Sequence, residues 1–71
     1  MSNFVKIRGY YNGETNREDK ELIINTDLIF VAERWYDKYR FWGSTTENYP
    51  HGIVVDHANA AIIFRKMGIS L

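Results

Sequence analysis

Cysteine is absent from the 71-residue chain. That excludes disulfides and thiolate metal sites, two of the usual supports of so small a domain. Neither sign of charge prevails, since nine basic residues balance nine acidic ones. A domain devoted to duplex DNA is usually clearly basic, because counterion release supplies its affinity. No apolar run approaches the ~20 residues of a membrane span. Met1-Ser2-Asn3 is not a basic n-region, and no apolar stretch follows it. The expected location is cytoplasmic. Proline occurs once, at Pro50, and the residue before it, Tyr49, is expected to be extended. No phosphate-cradling glycine motif and no nucleophile elbow is present.

The apolar and aromatic content suits a folded domain rather than a disordered one. The chain reads as a single domain over 1–71. At this size, folding buries only about 60% of the surface that the unfolded chain exposes. Packing quality, a ligand or a second chain must make up the margin.

The order of elements follows from local pattern. "FVKIRGYY" (4–11) alternates, with Val5, Ile7 and Tyr11 on one face and Phe4, Lys6, Arg8 and Tyr10 on the other. Gly9 interrupts it and suggests a bulge. Asn12-Gly13 is a tight-turn dipeptide opening a solvated loop over 12–19. "KELIIN" (20–25) is a short strand, "NTD" (25–27) a turn, and "LIFVAERW" (28–35) the strongest strand signal. "GSTTENYPHG" (43–52) is a polar loop, and "IVV" (53–55) a last short strand. "DHANAAIIFRKMG" (56–68) carries Asp56 as N-cap, Arg65 and Lys66 in the last turn and Gly68 at C′. Ala60, Ile63, Phe64 and Met67 form its buried stripe, which Leu71 extends. The expected fold is α+β: a small, mostly antiparallel meander of about five strands with one C-terminal helix packed on one face.

Five of the ten residues in "ERWYDKYRFW" (33–42) are aromatic and three are cations, so this stretch is the first candidate for function. A two-residue loop at Asp37-Lys38 makes it a hairpin, with Trp35 opposite Arg40 in a cation–π contact and Glu33 opposite Trp42. A three-residue loop over 36–38 would oppose Arg34 and Arg40, which is unfavourable.

Coverage then decides what that stretch must do. A helix of about eleven residues is ~16 Å long and covers one face of a small sheet. Yet the strands are apolar on both faces. Leu28, Phe30 and Ala32 point one way and Ile29 and Val31 the other, while Ile23 and Val54 oppose their strand neighbours. Half-solvated antiparallel sheets normally alternate apolar and polar residues. Barrel closure, the long loops or another chain must therefore cover the second face. Each Val or Ile buried there contributes ~1.5–3 kcal/mol. A second copy is the expected cover, because two-fold homodimers are the commonest assembly. Short edge strands offer a further place for two chains to pair. The expected interface residues are Ile29, Val31, Trp35 and Trp42, with Arg40 at the rim.

The rival use of the same stretch is single-stranded nucleic-acid binding. Trp35, Tyr39 and Trp42 would stack on bases and Arg34, Lys38 and Arg40 would meet phosphates. Alternation splits these aromatics between two faces, which weakens the platform. Trp, Tyr and Arg also dominate protein-interface hot spots.

Other clusters are weaker. His51, Asp56 and His57 match no zinc spacing. Glu14, Glu18, Asp19 and Glu21 lack calcium-loop order and are interleaved with Arg17 and Lys20. Ser44, Thr45 and Thr46 have no base at a recognisable spacing. No metal and no cofactor is expected, and the chain is read as a non-catalytic interaction or regulatory module. The order strand, "ELIINTDLI", strand, strand, "GIVVD" and helix, over about residues 20–66, resembles short bacterial flagellar-regulator-like and mobile-element reading frames. No function comes with that resemblance.

Overall fold

The alternation of "FVKIRGYY" forms strand β1, Phe4–Tyr11. The computed structural model describes residues 3–15, 17–43 and 52–70, the Phe30 side chain excepted. After β1, the Glu14 N–H donates to the Tyr11 carbonyl at 3.2 Å and closes the Asn12-Gly13 turn. Gly13 takes φ +96° there, a conformation that glycine adopts without steric cost. Strand β2, Lys20–Asn25, returns antiparallel to β1, with Ile7 opposite Leu22 and Phe4 opposite Asn25. A 3-10 turn at Thr26–Leu28 follows, so Leu28 belongs to the turn and not to the next strand. Its start is capped by the Asn25 side chain, which accepts from the Asp27 N–H at 3.0 Å. Buried Thr26 donates both its N–H and its hydroxyl to the Asn3 carbonyl, at 3.0 and 2.9 Å.

Strands β3 (Ile29–Trp35), β4 (Lys38–Gly43) and β5 (Ile53–Asp56) complete one five-stranded sheet, ordered β2-β1-β5-β4-β3. Every neighbouring pair is antiparallel. The fold is a small α+β domain with a single C-terminal helix, as the pattern predicts. It is not a plain meander, because β5 inserts between the β1–β2 and β3–β4 hairpins. β5 has apolar residues on both faces and the least polar sequence of the five strands, which suits the centre of a sheet.

Helix α1, His57–Lys66, follows β5 directly. The Asp56 carboxylate caps it by accepting from the Asn59 N–H at 2.9 Å. At its other end, Gly68 at φ +83° donates to the Arg65 carbonyl and Ile69 to the Phe64 carbonyl, a Schellman closure. Ala60 and Ile63 are fully buried against Ile7, Leu22, Phe41 and Val55, and Phe64 and Met67 pack around them. Asn59 also ties helix to sheet, because its Oδ1 accepts the Arg8 N–H at 2.9 Å. That bond serves β1 at the level where β5 gives way to the helix.

Two local expectations change. Gly9 sits in regular register with both Lys20 and Val55, without a bulge. A Cβ there would lie 2.5 Å from the Val54 carbonyl oxygen, so close backbone approach is what requires glycine. The bulge is instead in β3, between Ile29 and Val31. An extra residue in one strand shifts the alternation. Ile29 therefore packs on the helix-side cluster, while Val31 faces away from the helix.

The β3–β4 hairpin also differs by one step. Its two loop residues are Tyr36 and Asp37, so Trp35 pairs with Lys38, Glu33 with Arg40 and Val31 with Trp42. Tyr36 takes φ +59°, an uncommon conformation for a bulky side chain. The loop uses a tyrosine where glycine or asparagine is the normal signal, so local pattern places the turn one residue too late.

Candidate protein-contact face

Register and alternation divide the aromatic stretch between the two sides of the sheet. Tyr39 and Phe41 lie on the helix side, with ring centroids 5.7 and 5.2 Å from that of Phe64. Tyr39 also meets the His57 ring at 5.9 Å. Their strand neighbours Lys38, Arg40 and Trp42 therefore face away from the helix, together with Val31, Glu33 and Trp35 across the ladder. Arg34 falls on the helix side with its partner Tyr39, and its Nε donates to the Tyr36 carbonyl at 3.3 Å.

The helix-free side carries a stacked ladder. The Arg40 guanidinium lies 4.8 Å from the Trp35 ring and 5.1 Å from the Trp42 ring. The expected Trp35–Arg40 contact exists, although Arg40's directly opposed residue is Glu33; the contact runs along the diagonal. Glu33 fixes the guanidinium, with Arg40 Nε donating to Glu33 Oε1 at 2.9 Å and Nη2 donating to the same oxygen. The exposed Tyr36 ring stands edge-on to Trp35 at 5.3 Å and extends the ladder toward the hairpin tip. The residue pattern alone does not point to Glu33 or Tyr36. The correct register alone would have found Glu33, by placing it opposite Arg40.

Most of the cations on this side have an acidic neighbour within the chain. Lys38 is opposite Asp56 in the ladder, and Lys6 lies 4.0 Å from Glu21. Arg8, opposite Glu21, donates to the Asp19 carbonyl at 3.1 Å. The Asp56 carboxyl is held below its usual range. The Asn59 backbone N–H is the main cause, the Asn59 side-chain amide adds to it, and the charges of Lys38 and His57 contribute less.

The centre of this face is closed within one chain. Val54, between Tyr10 and Arg40 in the ladder, is fully buried, and Tyr10 is nearly so. The openness lies at the rim, where Ile23 is 64% exposed, Phe4 56% and Val31 42%. The coverage argument from sequence therefore holds for the rim only.

Elsewhere the chemistry is sparse. His57 is the first helical residue beside the Asp56 cap, and His51 lies outside the described residues, as do Ser44, Thr45 and Thr46. Among the described residues, no three His, Asp or Glu side chains are grouped to hold a metal ion. In the 12–19 loop, Glu14 pairs with Lys20 at 3.0 Å, and Lys20 also lies over the Tyr11 ring. A shallow depression of about 240 Å³ on α1, lined by His57, Ala61, Arg65, Ile69 and Ser70, holds no buried polar side chain. No helix among the described residues is long and apolar enough to cross a membrane. Compared with protein-family models, curated proteins and solved structures, the chain matches none.

Proposed function

We propose that this chain is a small intracellular protein-interaction module, without catalysis of its own, that works as a pair of identical chains. Apart from the seam between the two copies, its surface for a further protein is the helix-free side of β3 and β4: Val31, Trp35, Arg40 and Trp42, joined by Glu33 and Tyr36. Ile29, expected in this set, belongs to the helix-side packing instead.

One observation carries the choice of a protein over a nucleic acid. Arg40, the cation at the centre of the ladder, is already bound by Glu33, and Lys38 is opposite Asp56. A phosphate would have to displace the Glu33 carboxylate from Arg40, and it would meet the negative charge of Asp56 beside Lys38. Tyr39 and Arg34, needed for the base-stacking alternative, are on the other side of the sheet. Half-buried tryptophans around a neutralised arginine are instead the composition of a protein-interface hot spot.

Two measurements on the intact chain test this. Sedimentation equilibrium is expected to give twice the chain mass. Tryptophan fluorescence is expected to stay unchanged on titration with single-stranded oligonucleotides at low salt. A single-chain mass at high concentration overturns the pairing. Salt-sensitive quenching overturns the protein reading in favour of nucleic acid on Trp35, Lys38, Arg40 and Trp42.

A further inference from the structure

The two ends of the sheet are unlike each other as edges. On β3, the bulge breaks the ladder, and Glu33 and Arg34 stand on the strand. Bulges and charges are the common protections of an edge against another strand. β2 has no bulge along its six paired residues and no proline. Of its two charged residues, Lys20 is drawn back onto Glu14 and the Tyr11 ring, and Glu21 lies 4.0 Å from Lys6 of β1. Among the described residues, no strand pairs with its outer side.

The phase of the ladder says which groups are presented there. In an antiparallel pair, opposed residues alternate between those that exchange N–H and C=O and those that do not. Thr26 donates to the Asn3 carbonyl one step beyond the Phe4–Asn25 pair. Lys20, Leu22 and Ile24, at even spacing from Thr26, therefore aim their backbone groups at β1. Glu21, Ile23 and Asn25 aim theirs outward. On the helix-free side, exposed Ile23 lies diagonal to exposed Phe4, which makes an apolar stripe reaching the edge.

We infer that the two copies join by antiparallel pairing of β2 with β2, with Ile23 on the two-fold axis. This deepens the proposed function and rests on its claim that the chain pairs with itself. In that register, Ile23 meets its own copy in a hydrogen-bonded position, and Leu22 lies opposite Ile24 of the second copy. Glu21 lies opposite Asn25, so no like charges oppose each other. The neighbouring register, centred on Leu22, would set Glu21 against Ile23 and Lys20 against Ile24. The two Phe4–Ile23 stripes become continuous across the axis, and two five-stranded sheets become one of ten strands. A two-fold axis perpendicular to the sheet leaves both tryptophan–arginine ladders on the same face, at its two far ends. The paired chain is thus a bivalent binder with its contact patches free.

The absence of cysteine makes crosslinking a clean test. Hydrogen-bonded antiparallel neighbours lie about 5.5 Å apart at Cα, within disulfide reach. Under mild oxidation, Ile23→Cys is expected to give a covalent dimer, and Val31→Cys, on the opposite edge, is not. Ile23→Lys is expected to halve the mass seen by sedimentation with the circular dichroism unchanged, because the side chain is mostly exposed. A parent chain of single mass overturns both the pairing and the seam. A dimer that survives Ile23→Lys, or crosslinks through Val31→Cys and not Ile23→Cys, overturns the seam alone.

Discussion

The two sides of the sheet bury their centres by different means. On one, a helix lays Ala60 and Ile63 onto Ile7, Phe41 and Val55, and an apolar cluster results. On the other, no helix or second sheet layer lies over the described strands, yet Val54 is as fully buried as Ile63. Its ladder neighbours there are Tyr10 and Arg40, long side chains beside a short one. Long polar and cationic side chains commonly lay their stems along apolar surface while keeping their heads in water. A five-stranded sheet can therefore have one face sheltered by an element and the other sheltered at its middle, with only its rim left bare. Counting covering elements overstates how much such a domain needs a companion. Among the described strand residues of that side, the exposed apolar groups are Phe4, Ile23 and Val31.

The largest effect should separate these two modes of burial. Phe41→Ala removes a fully buried ring from the helix side and is expected to cost about 3–5 kcal/mol. A domain of this length has about 4–10 kcal/mol in total, so the variant is near or below its folding threshold. Val31→Ala on the other side is expected to change stability by no more than about 0.5 kcal/mol. Urea unfolding followed by tryptophan fluorescence measures both. Equal losses would mean that Val31 is buried in solution as deeply as the helix-side core, and the contrast between the faces would fail.

How far the sequence foretells this arrangement differs between fold and site. The strand and helix bounds were legible where period and caps agree, as in "KELIIN" and in the stripe from Ala60 to Met67 between Asp56 and Gly68. Topology was less so, since nothing local in "IVV" says that the last strand enters the middle of the sheet. The site was legible in part. The sequence puts Trp35, Arg40 and Trp42 on one side because alternation is robust to a slip of the hairpin loop, which moves both strands' partners without exchanging faces. It misses Glu33, because the partner of Arg40 depends on the register. It misassigns Ile29, because one bulged residue reverses the alternation and no glycine announces the bulge.

A smaller effect tests the junction between the faces. Asp56 ends β5, caps α1 and stands opposite Lys38. Asp56→Ala is expected to cost about 1 kcal/mol as a lost N-cap. Asp56→Asn retains the accepting oxygen and should cost less. The pH dependence separates charge from cap. The folded carboxyl ionises below its ordinary value, chiefly through the Asn59 N–H, so folding favours the ionised form. The stability it adds is fully present above the unfolded pKa and is lost as pH falls through the folded one. Acid titration of the unfolding midpoint should therefore show a drop that Asp56→Asn removes. A drop of equal size in both would transfer the effect to another carboxylate.

The smallest effect lies in the ladder and bears on what it is for. Arg40 and Glu33 are both partly exposed, so their pair is expected to contribute no more than about 0.2–1 kcal/mol, with solvent screening already weakening it. A double-mutant cycle of Arg40→Met and Glu33→Gln measures it by urea unfolding, and raising the salt should shrink the coupling. The stacking on Trp35 and Trp42 is a separate contribution, less sensitive to salt, which Arg40→Lys should weaken because an ammonium has no plane to lay between two indoles. A coupling near zero would mean that Glu33 does not hold the guanidinium in solution. Arg40 would then be open to a phosphate, and the observation that favours a protein partner over a nucleic acid would be gone.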